Sequence, residues 1–356
     1  MMQAKQKSEP SPHRKNGFAR LLGFGRRSEA RNTGRRLTDA SGLRARDVPQ
    51  ITAAEREQLV AGLMASDARL SSKYFYDALG SHLFDAITRL AEYYPTRTEA
   101  AIFARHGQDI AAAVGNGSTL IDLGAGNCAK AASLFDSLRP AQYVAVDISE
   151  DYLRDAVASL RQRHPDIGMT ALGLDMSAGL ALPDTVPAQR RLFFYPGSSI
   201  GNFTPEEASA FLAGLRRQCD DEGGLLIGVD LVKPKAILDA AYDDTLGVTA
   251  AFNLNALNHV NAVLGADFDV REWRHLAFFD PDLSRVEMHV ETRPEVEVRW
   301  PGGSRRFEAG ERIHTENSYK YRLVDFEAML HDAGFANVKS WTDQRYWFAV
   351  CHAKAR

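Results

Sequence analysis

The spacing of apolar positions changes character twice along the chain. From about residue 49 to 114 they recur every three or four residues, which predicts helices over 53–63, 80–90 and 96–114. Leu83, Phe84, Ile87 and Leu90 would share one face of the second. From residue 119 the pattern becomes short apolar runs followed by amphipathic stretches. Strands are predicted at 119–123, 143–146, 169–174, 191–195 and 224–229. Helices follow the first of them to about residue 138, the second at 149–163, and the fourth from Thr204-Pro-Glu-Glu207. Thr204 suits an N-cap, and Pro205 suits the first helical position.

This strand–helix succession predicts a parallel, doubly wound α/β sheet. Residues 233–320 break the rhythm with two helical stretches and two alternating strands, 286–290 and 296–300. They read as an inserted lobe. A helix at 323–333 and strands at 338–341 and 346–351 return to the sheet and close it with an antiparallel hairpin.

Composition narrows the class. The 356 residues are 45% apolar and 25% charged, enough for an ordinary globular core. No run approaches the ~20 apolar residues that span a bilayer, so no membrane partner is expected. The formal charge of −3 hides an asymmetry: residues 1–48 hold twelve Lys/Arg against four Asp/Glu, which leaves −11 for the remainder. The first segment reads as a basic, disordered tail. The acidic body lacks the positive field of a nucleic-acid enzyme, and no nucleic-acid partner is expected. Cys128, Cys219 and Cys351 are odd in number and widely spaced. That argues against a disulfide framework or a metal site and for a cytoplasmic location.

Open α/β sheets bind ligands beyond the carboxyl ends of their strands. The string Asp-Leu-Gly-Ala-Gly at 122–126 lies where the first strand turns into its helix. Gly124 and Gly126 would let the backbone approach a ligand closely. Twenty-one residues after Gly126, Asp147 ends the second strand, where a carboxylate can accept both hydroxyls of a ribose. Two cofactor classes use such a pair. A NAD-dependent dehydrogenase needs a third small residue, a place that Ala129 fills loosely. The long helical region before the first strand and the antiparallel C-terminal pair favour S-adenosylmethionine instead. Lys130 is then placed to reach the methionyl carboxylate, and Asp175, ending the third strand, the adenine amino group.

Other strings are less common: KYFYD at 73–77, ITRLxEYYPTR at 87–97, GSSIGNF at 197–203, AYDDxxGVTAAFN at 241–253 and TExSxK at 315–320. Asn202 follows a glycine-rich strand end and offers both a donor and an acceptor. In these strings, over about residues 55–355, the sequence resembles the histidine-specific, S-adenosylmethionine-dependent methyltransferases that make N-α-trimethylhistidine for ergothioneine synthesis. The resemblance implies a Rossmann-like methyltransferase sheet with an inserted α+β substrate lobe. The lobe would comprise residues 49–97 and 233–320, and the sheet domain 98–232 and 321–356.

It also implies roles. Tyr76 and the Gly197 carbonyl would face the substrate α-amine, with Phe84 against the growing ammonium. Asn202 and Tyr242 would hold the α-carboxylate, Asn202 also lying near the amine, so that Tyr76 and Asn202 are the catalytic candidates. Glu316 and Ser318 would read one imidazole nitrogen, Tyr93 the other, and Met288 would pack beside the ring. Gly124, Lys130, Asp147 and Asp175 match cofactor positions. The implied substrate is free L-histidine and the expected state a monomer. A related amine or amino acid is the alternative substrate. The sequence departs from the family's usual pattern at His314, where Arg is common, and at Asn127-Cys128.

Overall fold

Residues 51–176 and 179–355 are described by the structure, a computed structural model. The basic segment 1–48 lies outside them. Helices α1 (Ala53–Met64), α2 (Ala78–Ile87) and α3 (Tyr94–Val114) come first. Each N-terminus follows from local chemistry. Thr52 and Glu55 form a reciprocal capping box on α1, Asp77 caps α2, and Pro95 occupies the first turn of α3.

The alternating region then gives β1 (Thr119–Leu123), α4 (Ala129–Ala132), α5 (Phe135–Leu138), β2 (Gln142–Asp147), α6 (Glu150–Arg163) and β3 (Gly168–Gly173). It continues with β4 (Arg191–Tyr195), α7 (Pro205–Arg217) and β5 (Gly224–Asp230). One long helix was expected after β1, and two single turns are found. The Ser133 hydroxyl bonds the Lys130 carbonyl at 2.6 Å and the Ser137 hydroxyl that of Leu134 at 3.0 Å, so side chains compete for the acceptors that a continuous helix would use.

The lobe holds α8 (Lys235–Tyr242), α9 (Val248–Leu264) and five strands where two were expected: β6 (Trp273–Asp280), β7 (Arg285–Thr292), β8 (Val296–Trp300), β9 (Gly303–Phe307) and β10 (Arg312–Tyr319). The overlooked β10 carries polar residues on both faces, which hides its period. The chain ends with α10 (Leu323–Asp332), β11 (Phe335–Thr342) and β12 (Phe348–Ala355). β12 starts two residues later than expected. Asp343 accepts the N–H groups of Arg345, Trp347 and Phe348, folding Tyr346 and Trp347 into the turn.

The main sheet has the order β11-β12-β5-β4-β1-β2-β3. β1 to β5 run parallel, and β12 lies antiparallel between β5 and β11. β1 is buried along its whole length, as a strand covered on both faces must be. Phe193, Ile227, Leu212 and Phe326 share the core of one face, and Ile102, Leu120, Leu153 and Phe194 that of the other. The lobe has its own sheet, β10-β7-β6, with the hairpin β8-β9 beside it. The N-terminal segment joins this sheet where Leu70 and Ala68 exchange backbone bonds with His314.

Gly228 of β5 leaves the space that α3 needs. A Cβ there would lie 2.1 Å from Glu99 Oε1 and 3.0 Å from the Phe348 ring. Glu99 is itself only 1% exposed. Gly228→Ala should therefore destabilise by about 1–3 kcal/mol through overpacking. Urea denaturation measures this, and an unshifted midpoint would contradict the packing described.

Candidate active site

The turn after β1 is braced from β2. Gly124 and Ala125 donate their N–H groups to the Val146 carbonyl, at 2.9 and 3.0 Å. Gly126 donates to Asp147 Oδ2 at 2.9 Å, and Ser149 to Asp147 Oδ1 at 3.0 Å. Both glycines have positive φ, 69° and 51°, and a Cβ built on either meets nothing within 4 Å. The loop thus walls an open crevice with bare backbone, a cradle that fits the close approach of a nucleoside and its methionyl chain. Beneath it Tyr143 donates to Asp122 at 2.8 Å, while burial pushes the Asp122 carboxyl up to about 7.

The other candidate cofactor residues have protein partners that the sequence did not announce. Asp175 Oδ2 lies 3.2 Å from the Lys73 ammonium, which also holds Glu55 at 2.9 Å. Lys130 bonds Glu99 at 2.7 Å, and the second oxygen of Glu99 accepts the Gly197 N–H at 2.7 Å. One buried carboxylate therefore joins the cofactor-side lysine to the loop after β4. Ser149 in turn donates to the Tyr76 carbonyl at 3.0 Å, and Tyr152 to Asp85 of α2 at 2.8 Å. These bonds tie the segment around α2 to the crevice.

Tyr76, Phe84, Tyr93, Gly197, Asn202, Tyr242, Met288, Glu316 and Ser318 all line a single cavity, with Ile87, Ser198, Ser199, Ala241, Thr249 and Phe252. One side is aromatic. The rings of Tyr76, Phe84 and Phe252 lie pairwise 5.7–5.9 Å apart, and Tyr93 stands 6.3 Å from both Phe84 and Tyr242. The other side is polar. Asn202 Nδ2 lies 3.2 Å from Glu316 Oε1, and burial drives the Glu316 carboxyl up to about 7 against the opposing pull of Lys320 and Asn202. Among the described residues the buried Thr249 hydroxyl has no hydrogen-bond partner in good geometry. A separate cavity at the amino ends of the strands, bordered by Arg190, Glu222 and Lys354, contains none of these groups.

A bulge in β10 aims Glu316. His314 pairs with His289 of β7, but Glu316 pairs with Met288, so Thr315 is the extra residue. The Thr315 hydroxyl lies within hydrogen-bond distance of Asn253 Oδ1 and the Met288 carbonyl, at 2.8 and 2.9 Å. In a regular strand residues 314 and 316 would share a face. Here Glu316 lines the cavity, while His314 bonds Asn317 at 2.9 Å and packs edge-on against His289. The departure at His314 therefore lies outside the cavity wall.

Behind Tyr242 and Ser318 lies a buried ionic cluster. Asp230 accepts from the Tyr94 hydroxyl at 2.6 Å and from Lys233 at 2.6 Å, forms an ion pair with Lys320 at 3.1 Å, and its N–H donates to Ser198 Oγ at 2.8 Å. Lys320 also reaches Tyr242 Oη at 2.9 Å and Ser318 Oγ at 2.7 Å, and these two hydroxyls lie 2.7 Å apart. Sequence reasoning missed Glu99, Asp230, Lys233, Thr249 and Phe252. Phe252 and Thr249 lay in a quoted string but were assigned no role. Glu99 stands two residues beyond another such string, on a helix face whose burial only the fold reveals.

Residues 55–355 match the family described as histidine-specific methyltransferase, SAM-dependent. The histidine N-alpha-methyltransferase of Mycolicibacterium smegmatis is 41% identical over 81% of this chain and 91% of its own length. That of Mycobacterium tuberculosis is 37% identical over the same shares. Ergothioneine biosynthesis protein 1 of Neurospora crassa is 30% identical over 77% of this chain, which spans 32% of that longer protein. The dinucleotide alternative falls with these matches: the chain belongs to the histidine-specific, S-adenosylmethionine-dependent methyltransferase family.

Proposed function

We propose that this protein methylates the α-amino group of free L-histidine to N-α-trimethylhistidine, the entry to ergothioneine synthesis. The observation that carries the reading is the convergence of nine residues, drawn from seven separated stretches of chain, on one cavity with an aromatic side and a carboxylate–amide side. Gly124, Gly126, Lys130, Asp147 and Asp175 would hold S-adenosylmethionine. When bound, that cofactor supplies an electrophilic methyl group on a sulfonium.

The protein's task is positioning, because displacement at a sulfonium methyl needs only an aligned, uncharged amine. An α-amine has a reference pKa of roughly 8, higher in a free amino acid, so releasing its proton near neutrality costs at most a few kcal/mol. Asn202 contributes through its orientation. With Nδ2 donated to Glu316, its Oδ1 is left to accept an amine N–H and direct the lone pair. Burial raises the Tyr76 phenol well above its usual range, so it acts as a neutral hydrogen-bonding group. The rings of Tyr76, Phe84 and Phe252 then face a nitrogen that gains permanent charge with each methyl group. Cation–π attraction of about 1–2 kcal/mol favours that product, whereas a carboxylate in the same place would hold the starting amine protonated.

Ring recognition falls to Glu316. Its carboxylate would accept an imidazole N–H, and a substrate without that donor would leave it buried and unpaired. Glu316→Ala should raise the KM for histidine at least about tenfold while sparing cofactor affinity. Asn202→Ala should abolish turnover with the fold intact. Mass spectrometry of histidine incubated with enzyme and S-adenosylmethionine should show whole-methyl increments ending in the trimethyl product. Unmodified histidine under those conditions would refute the reading.

The raised carboxyl also sets a pH dependence. From about 4.5, the ordinary value, up to about 7, the folded protein keeps a proton on Glu316 that the unfolded chain has released. Stability is therefore lost as pH rises through that window, and the loss is complete above it. Glu316→Gln removes this loss. The variant should gain melting temperature over the ligand-free parent at pH 8 but not at pH 4.5, as read by thermal denaturation across the pH range. A constant difference would exclude ionisation at this residue.

A further inference from the structure

The ammonium of Lys320 stands behind the cavity rather than in it, its side chain only 1% exposed. It donates to Tyr242 Oη at 2.9 Å and Ser318 Oγ at 2.7 Å and forms an ion pair with Asp230 Oδ2 at 3.1 Å. It is not among the residues that line the cavity, so Lys320 is no direct contact. Its effect passes through the two hydroxyls.

The count is short. Tyr242 and Ser318 bring two hydroxyl protons and, taken together, four lone pairs. Lys320 only donates, and it occupies one lone pair on each oxygen. The 2.7 Å contact between the hydroxyls consumes one proton and a third lone pair. What remains for the cavity is one proton and one lone pair, on different oxygens. We propose that Lys320 is a positioning residue that fixes this polarity, so that the Tyr242–Ser318 corner presents one donor and one acceptor and receives a ligand carrying a carboxylate beside an N–H group.

This rests on the amino-acid reading of the cavity and deepens it. If Tyr242 faces the α-carboxylate, its proton goes there. Ser318 then donates to Tyr242 and keeps its last lone pair for the imidazole N–H. The ionic cluster supports the same polarity. Lys233 and Lys320 share the single carboxylate of Asp230, so an ammonium in excess stands behind the corner where the anion would bind. Removing Lys320 exposes two further lone pairs and frees both hydroxyls to turn, which makes the corner rich in acceptors and hostile to a carboxylate.

The test compares L-histidine with histamine, which lacks only the carboxylate, by calorimetric titration of enzyme saturated with S-adenosylhomocysteine. In Lys320→Met the Kd for histidine should rise about thirtyfold and that for histamine stay within about threefold, collapsing the preference between them. Lys320→Arg, which keeps a donor-only cation, should restore most of it. Equal losses for both ligands, or an unchanged preference, would overturn the proposal. Should Lys320→Met give no cooperative melt, Lys320→Arg decides: a preserved preference supports the assignment, and a collapsed one in a normally melting protein rejects it. Failure of the wild-type enzyme to methylate histidine would strike the substrate reading instead. The Lys320 count would then be tested with any bound amino acid and its decarboxylated amine.

Discussion

The carboxylate of Asp230 is the point on which the two halves of the site hang. It ends β5 of the main sheet with no exposure to solvent, yet three of its partners come from elsewhere: Tyr94 from α3, Lys233 from the chain leading into the lobe, and Lys320 from the chain leaving it. A buried carboxylate cannot be left unpaired without a cost of several kcal/mol, so the arrangement that satisfies it is strongly selected. Both crossings between sheet and lobe are thereby pinned to the same carboxylate, one to each oxygen. The hydroxyls of the cavity residues Tyr242 and Ser318 are fixed one bond further out.

A second buried carboxylate works in the same manner on the cofactor side. Glu99 fills the gap above Gly228 and divides its two oxygens between Lys130 and the Gly197 amide. The elements that would hold donor and acceptor thus share a rigid support. This matters for in-line transfer, in which small errors of placement are costly. The chemistry itself asks little of the protein, and the buried ions serve alignment.

Much of this was legible before the fold was known. The central parallel strands announced themselves because strands covered on both faces are written as nearly unbroken apolar runs, and the antiparallel ending was marked by two strand-like segments, 338–341 and 346–351, a short turn apart. The crevice residues Gly124, Gly126 and Asp147 followed from where a parallel sheet puts strand ends. β10 was illegible for the opposite reason: a strand that lines a polar cavity on one face and meets solvent on the other has no hydrophobic period. Nor could the sequence announce the partners of Lys130 and Lys320, since a lysine reads as solvated until the fold brings a partner to it. Phe252 was assigned no role because an apolar ring in a helix carries no sign of what it faces: it packs on Phe75, and the same ring forms part of the cavity wall.

The bulge at Thr315 has a consequence for how such a protein can vary. By inserting one residue between His314 and Glu316, it breaks the parity that would otherwise bind their fates, and each side of the strand answers to its own neighbours. On one side His314, His289 and Glu287 form a mostly buried cluster held by its own hydrogen bond and ring contacts. On the other, Glu316 and Met288 line the cavity. A single unpaired threonine insulates the cavity wall from the packing behind the strand.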